Sequence, residues 1–95
     1  EPWTAAQALE YGIVNYVVPA AELDAKVEDL ATKIAARSPS AVRLGKYAFT
    51  AMQDMTLDQQ FRFAETMLPR IAMTQDAREG FSAFIEKRVP DWTGR

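Results

Sequence analysis

A Thr-x-x-Gln pattern occurs twice, at Thr4–Gln7 and Thr56–Gln59, and a Ser38-Pro39 pair stands between them. Each is a helix start. In the two boxes the threonine hydroxyl accepts a backbone N–H while the glutamine amide reaches back to the cap. In the third, serine caps a helix whose first residue is a proline, already near helical φ and with no N–H to leave unpaired. Three such starts commit most of the chain to helices. The expected elements are Ala5 to Tyr11 stopped by Gly12, Glu22 to Arg37, Pro39 to about Gln53, a helix from Leu57, and Asp76 to Arg88. Leu23, Val27, Leu30 and Ile34 form one apolar stripe, and Leu57, Phe61, Ala64, Leu68 and Ile71 another. Phe63 and Met67 add a second stripe beside the latter; the residues alone favour a deeply buried core helix of a single small bundle, with burial on two sides, in a core and in a subunit interface, as the alternative. Pro69 is expected to kink its helix. Phe81, Phe84 and Ile85 are the apolar side of the last helix, and Gly80 marks close packing there. Residues 89–95 should be non-helical, with Trp92 docked on the helices.

One segment does not fit. Ile13-Val14-Asn15-Tyr16-Val17-Val18 is β-branched and aromatic and ends at Pro19, so it reads as a short strand. No other segment offers it a partner. The expected fold is therefore mainly α, a small domain of four to five helices spanning residues 1–95, with one unpaired β-strand near the N-terminus.

Composition narrows the chemistry. The 95 residues hold no His and no Cys, which excludes imidazole bases, thiolate nucleophiles, disulfides and most zinc sites. With 11 Lys and Arg against 13 Asp and Glu the formal charge is −2, so nucleic acid is not an expected partner. No apolar run approaches a membrane span. The start at Glu1 rather than Met fits a piece of something longer, and the expected compartment is reducing and cytoplasmic. The glycines at 12, 45, 80 and 94 are scattered and form no phosphate loop. Asp76 and Glu79 lie one turn apart but in a first helical turn, where acids serve the dipole in solvent. The residues alone yield no active site: catalytic, none; metal, none.

Three stretches together resemble the C-terminal part of the crotonase (enoyl-CoA hydratase/isomerase) superfamily. They are Ala8-Leu9-Glu10-Tyr11-Gly12-Ile13-Val14 through Val17-Val18-Pro19, then Ser38-Pro39-Ser40-Ala41 with Lys46, and Asp76-Ala77-Arg78-Glu79-Gly80-Phe81-Ser82-Ala83-Phe84-Ile85-Glu86-Lys87-Arg88 with Pro90 and Trp92. The resemblance implies a parent enzyme acting on a coenzyme A (CoA) thioester, with no tightly bound cofactor. Its β-β-α spiral, oxyanion hole and catalytic carboxylates would lie outside this sequence. This part would serve as lid and oligomer contact in a trimer-type homo-oligomer. The resemblance also implies that Phe84 and Lys87 meet the adenine and phosphate end of CoA; read without it, Phe84 is core and Lys87 a solvated end-of-helix base. Arg88 is a second phosphate candidate, more readily a helix-terminal cation. Phe61, Phe63 and Met67 read as core or interface, with an acyl pocket as the alternative. A competing reading is an autonomous helical interaction module that pairs through Ile13–Val18 or the Phe63/Met67 stripe and binds no CoA.

Overall fold

A computed structural model describes residues 1–95. It contains five α-helices: α1 Ala5–Glu10, α2 Leu23–Ala35, α3 Pro39–Met52, α4 Leu57–Ala72 and α5 Gln75–Glu86, with a 3-10 turn at Ala20–Glu22 leading into α2. The chain forms two compact units, Glu1–Ile34 and Ala35–Arg95.

In the first unit the Thr4 hydroxyl accepts from the Gln7 amide and the Gln7 side chain accepts from the Thr4 N–H, so the expected capping box closes. Gly12 turns the chain at φ 73, a left-handed value that costs glycine nothing. The expected strand at Ile13–Val18 does not form. The N–H groups of Ile13 and Val14 both turn back to the Ala8 carbonyl at 2.9 and 3.3 Å, and no other segment supplies a ladder. β-branched residues favour extended backbone, but a strand exists only through the hydrogen bonds of a neighbour. The segment lies instead beside α2, where Ile13, Val17, Leu23, Val27 and Leu30 line an open groove of about 530 Å³. At this groove the Lys26 ammonium sits 4.2 Å from the centre of the Tyr16 ring.

In the second unit α3, α4 and α5 pack against one another. Ser38 caps α3 by accepting from the Ala41 amide at 3.1 Å, and Pro39 is its first residue. Thr56 and Gln59 close the second capping box. The Gln60 amide donates to the Met52 carbonyl at 3.0 Å and so ties the α3–α4 connection. α4 runs through Pro69 to Ala72 as one helix.

Which faces turn inward is the main departure from expectation. Only Met67 and Ala83 are fully buried apolar residues. On α4 the Phe63/Met67 stripe faces inward, while Leu57, Phe61 and Leu68 of the longer stripe are each about two-thirds exposed. On α5 the large residues Phe81, Phe84 and Ile85 are exposed, and the buried positions are Asp76 and Ala83. Small and polar groups face inward there because residues 88–95 fold back along that side and need room.

Candidate functional site

The site is the C-terminal end of α5 together with the segment that returns along it. Thr74 caps α5, accepting from the Ala77 amide at 3.1 Å, and the helix ends in a left-handed residue, Lys87, at φ 54 and ψ 42. The Lys87 N–H donates to the Phe84 carbonyl at 3.4 Å and the Arg88 N–H to the Ala83 carbonyl at 3.0 Å, the paired bonds of a Schellman cap. That position normally takes glycine, since a side chain there costs about 1 kcal/mol or more. Lys87 is the only non-glycine residue with positive φ. α5 therefore stops short of its expected end at Arg88.

Beyond the cap, three successive ties hold the returning segment. The first is Glu79, whose carboxylate accepts from both terminal nitrogens of Arg88 and from the Asp91 N–H at 2.8 Å. Arg88 also donates through Nε to Glu86 at 2.6 Å. The Arg88 guanidinium, and then the Asp91 amide, hold the Glu79 carboxyl down at about 2. Glu79, followed by Glu86, correspondingly raises Arg88.

The second tie is Trp92. Its indole N–H donates to the Ala36 carbonyl at 2.9 Å, and its ring lies 3.4 Å from where a Cβ on Gly80 would stand. The close packing read from Gly80 is thus present, and Trp92 is what fills it.

The third tie corrects the reading of Asp76 as a solvated dipole acid: Asp76 is 1% exposed. Its carboxylate accepts from Ser38 Oγ at 2.7 Å, Ser40 Oγ at 3.0 Å, the Thr93 N–H at 2.7 Å and the Gly94 N–H at 3.1 Å. Burial pushes this carboxyl up, but the bonds from Ser38, Thr93, Ser40 and Gly94 outweigh it and leave the group well below the usual carboxylate range. Nothing near Asp76 in the sequence foretells this, because the donors come from the start of α3 and from the last residues of the chain. The only local hint is the Ser-x-Ser pattern at a helix start.

Of the residues singled out from the sequence, Phe84 lies in the last turn of α5 and Lys87 is the left-handed residue that ends it. Phe84 is 84% exposed, so it is not core. Lys87 is exposed and forms no ion pair, whereas Arg88 is engaged by Glu79 and Glu86. The structure thereby separates two adjacent cations: Arg88 is a structural partner, and Lys87 is free to meet an anion. Met67 is core, and Phe61 lies on the exposed face of α4. Asp76 and Glu79 are both held ionised, which is the opposite of what a general acid requires.

The sequence model of the enoyl-CoA hydratase/isomerase family matches residues 1–95. Among curated relatives, carnitinyl-CoA dehydratase of Proteus mirabilis is 37% identical over 95 residues, covering 96% of this chain and 36% of its own. A mouse relative, enoyl-CoA hydratase domain-containing protein 3, mitochondrial, is 38% identical over 94 residues, covering 98% of this chain and 31% of its own. Among solved structures, an enoyl-CoA hydratase of Bacillus anthracis superposes with a TM-score of 0.89 at 37% identity, covering 96% of this chain and 35% of that one. The chain belongs to the enoyl-CoA hydratase/isomerase family. It spans about a third of the length of these relatives and corresponds to the C-terminal type of region. No helix is long and apolar enough to cross a membrane.

Proposed function

We propose that these residues form the CoA-contacting and assembly region of an enzyme that adds water across, or shifts, a double bond conjugated to a CoA thioester. The observation that carries this is the C-terminal end of α5, where an exposed ring at Phe84 in the last turn is followed, three residues on, by an unpaired ammonium at the capping residue Lys87. An exposed ring offers a stacking face to adenine, and a lysine offers a compact charge to phosphate. The carbonyl end of a helix dipole disfavours an anion, so the phosphate must be met by the Lys87 side chain rather than by the backbone. Residues outside these 95 supply the oxyanion donors and the acid–base carboxylates.

The apolar faces of α2 and α4 support the second part of the reading, contact with the remainder of the enzyme and with further copies in a homo-oligomer. Leu23, Val27 and Ile34 on α2, and Phe61 and Leu68 on α4, are each more than half exposed. The Phe63/Met67 stripe is turned inward and does not serve as a pairing surface. No tightly bound cofactor enters this reading. The cytoplasmic placement expected from the sequence belongs to it as well, with mitochondria as the other compartment, since the mouse relative is named as mitochondrial.

Titration of the chain with CoA, followed by residue-resolved NMR, tests the contact. Shifts centred on Phe84 and Lys87, weakened at least about tenfold by Lys87→Ala, are the expected result; tenfold corresponds to about 1.4 kcal/mol, the scale of one charge-assisted contact. Silence at millimolar CoA, both alone and with the remaining part of a parent enzyme added in trans, would overturn it.

A further inference from the structure

We propose that Glu79 is a positioning residue for this CoA contact: by holding Arg88 and the Asp91 amide it keeps Lys87 left-handed, and so fixes the point at the end of α5 from which the ammonium departs. The inference rests on the reading that Lys87 meets CoA, and its backbone part stands without it.

The need for such a device follows from the cap. Lys87 is the one L-residue of the chain in the left-handed region, at a position where glycine would reverse the chain without strain. The cap's own hydrogen bonds are one good bond, Arg88 N–H to the Ala83 carbonyl at 3.0 Å, and one long bond, Lys87 N–H to the Phe84 carbonyl at 3.4 Å, and they act only within the turn itself. The compensating interactions lie one step beyond. Glu79 is two turns back along α5 and its side chain is 21% exposed, so its bonds to the Arg88 guanidinium form in a partly desolvated setting. Two parallel charge-assisted bonds to Arg88, plus the Asp91 N–H at 2.8 Å, hold the backbone at 88 and 91 against the helix. A chain held there must reverse at residue 87.

The same clasp performs a second service. It neutralises Arg88, so the cation presented at this end is Lys87 alone. A lysine standing where glycine is easier is also what a working side chain at 87 would require.

The test compares the native chain with Glu79→Gln, which accepts fewer of these bonds and carries no charge, and with Arg88→Gln, which opens the clasp from the other side should the first variant fail to fold. Two readouts are taken. Three-bond HN–Hα coupling and carbon shifts at Lys87, with exchange of the Arg88 amide, report the left-handed cap, and CoA titration reports the contact. The expected result is loss of the left-handed signature, at least tenfold faster exchange at Arg88, and CoA affinity reduced about 5- to 10-fold, while the Asp76-bonded amides of Thr93 and Gly94 stay protected. Adding Lys87→Gly to Glu79→Gln should restore the slow Arg88 exchange without restoring CoA affinity. A cap that stays left-handed in both clasp variants overturns the proposal, whatever happens to affinity. CoA binding that strengthens when Arg88 is released overturns it too. If the native chain binds no CoA, the functional reading falls, and the Lys87 coupling still decides whether Glu79 sets the backbone.

Discussion

Two demands meet at Lys87 and pull in opposite directions. Its backbone conformation asks for glycine, and its exposed, unpaired ammonium is the feature that suits a phosphate. Lys87→Gly should therefore raise stability by about 0.5–1 kcal/mol while weakening CoA binding about tenfold. Thermal melting and CoA titration on the same sample check this; binding and stability falling together would show that the side chain serves the fold instead. The spacing of three between Phe84 and Lys87 suggests one helix face, but only Phe84 lies within α5, and Lys87 is the left-handed residue that follows it. The sequence could not show that Lys87 ends that helix. Beside the local cap bonds, Arg88 and Asp91 reach back nine and twelve residues to Glu79, beyond the range over which helix-end signals are read from a sequence. Asp76 was illegible for the same reason: its donors come from both α3 and the C-terminal residues.

Among the elements, starts were more legible than faces. Thr4, Ser38 and Thr56 cap the helices expected of them, since each cap is settled within four residues. On α4 the periodicity predicts two apolar stripes and does not say which is covered, because it reports that a stripe exists and not which neighbour packs on it. The strand at Ile13–Val18 failed on the same ground, with propensity present and a partner missing.

The element with the clearest pH response is α5 with its returning segment. Glu79 has its carboxyl lowered from an ordinary 4.5 to about 2 by Arg88 and then the Asp91 amide. A group whose folded value is depressed stabilises fully above its unfolded value and loses that stabilisation as pH falls through the folded one. Asp76, also depressed, adds in the same sense below 3.8. The segment 88–95 should accordingly release from α5 as pH falls from about 4.5 towards 2. The Trp92 indole N–H resonance, bonded to Ala36, checks it; loss of that bond instead on raising pH above neutrality would contradict the assignment.

At the scale of the molecule the conspicuous fact is how little is enclosed. Two apolar residues are fully buried while Leu23, Ile34, Phe49, Phe61, Leu68 and Phe81 are all more than half exposed. Apolar area on that scale drives association when nothing else covers it. The chain should self-associate with rising concentration in sedimentation velocity. Phe61→Ser combined with Leu68→Ser should reduce that association several-fold with little change in far-UV ellipticity, because both side chains face outward. A sharp monomer at all concentrations, or loss of helix in the double variant, would contradict this surface reading.

Helix starts, the turn at Gly12, the mainly α class and the family likeness are properties of short stretches, and they were present in the order of the residues. Local hydrogen bonds and steric limits act within a turn, so they need no fold to be read. The burial of Asp76, the clasp on Arg88, the seat of Trp92 on Gly80 and the inward turn of Met67 arose only when distant segments met. Each joins groups more than two helical turns apart in the chain, and the free energy of such a contact does not exist until the backbone between them is folded.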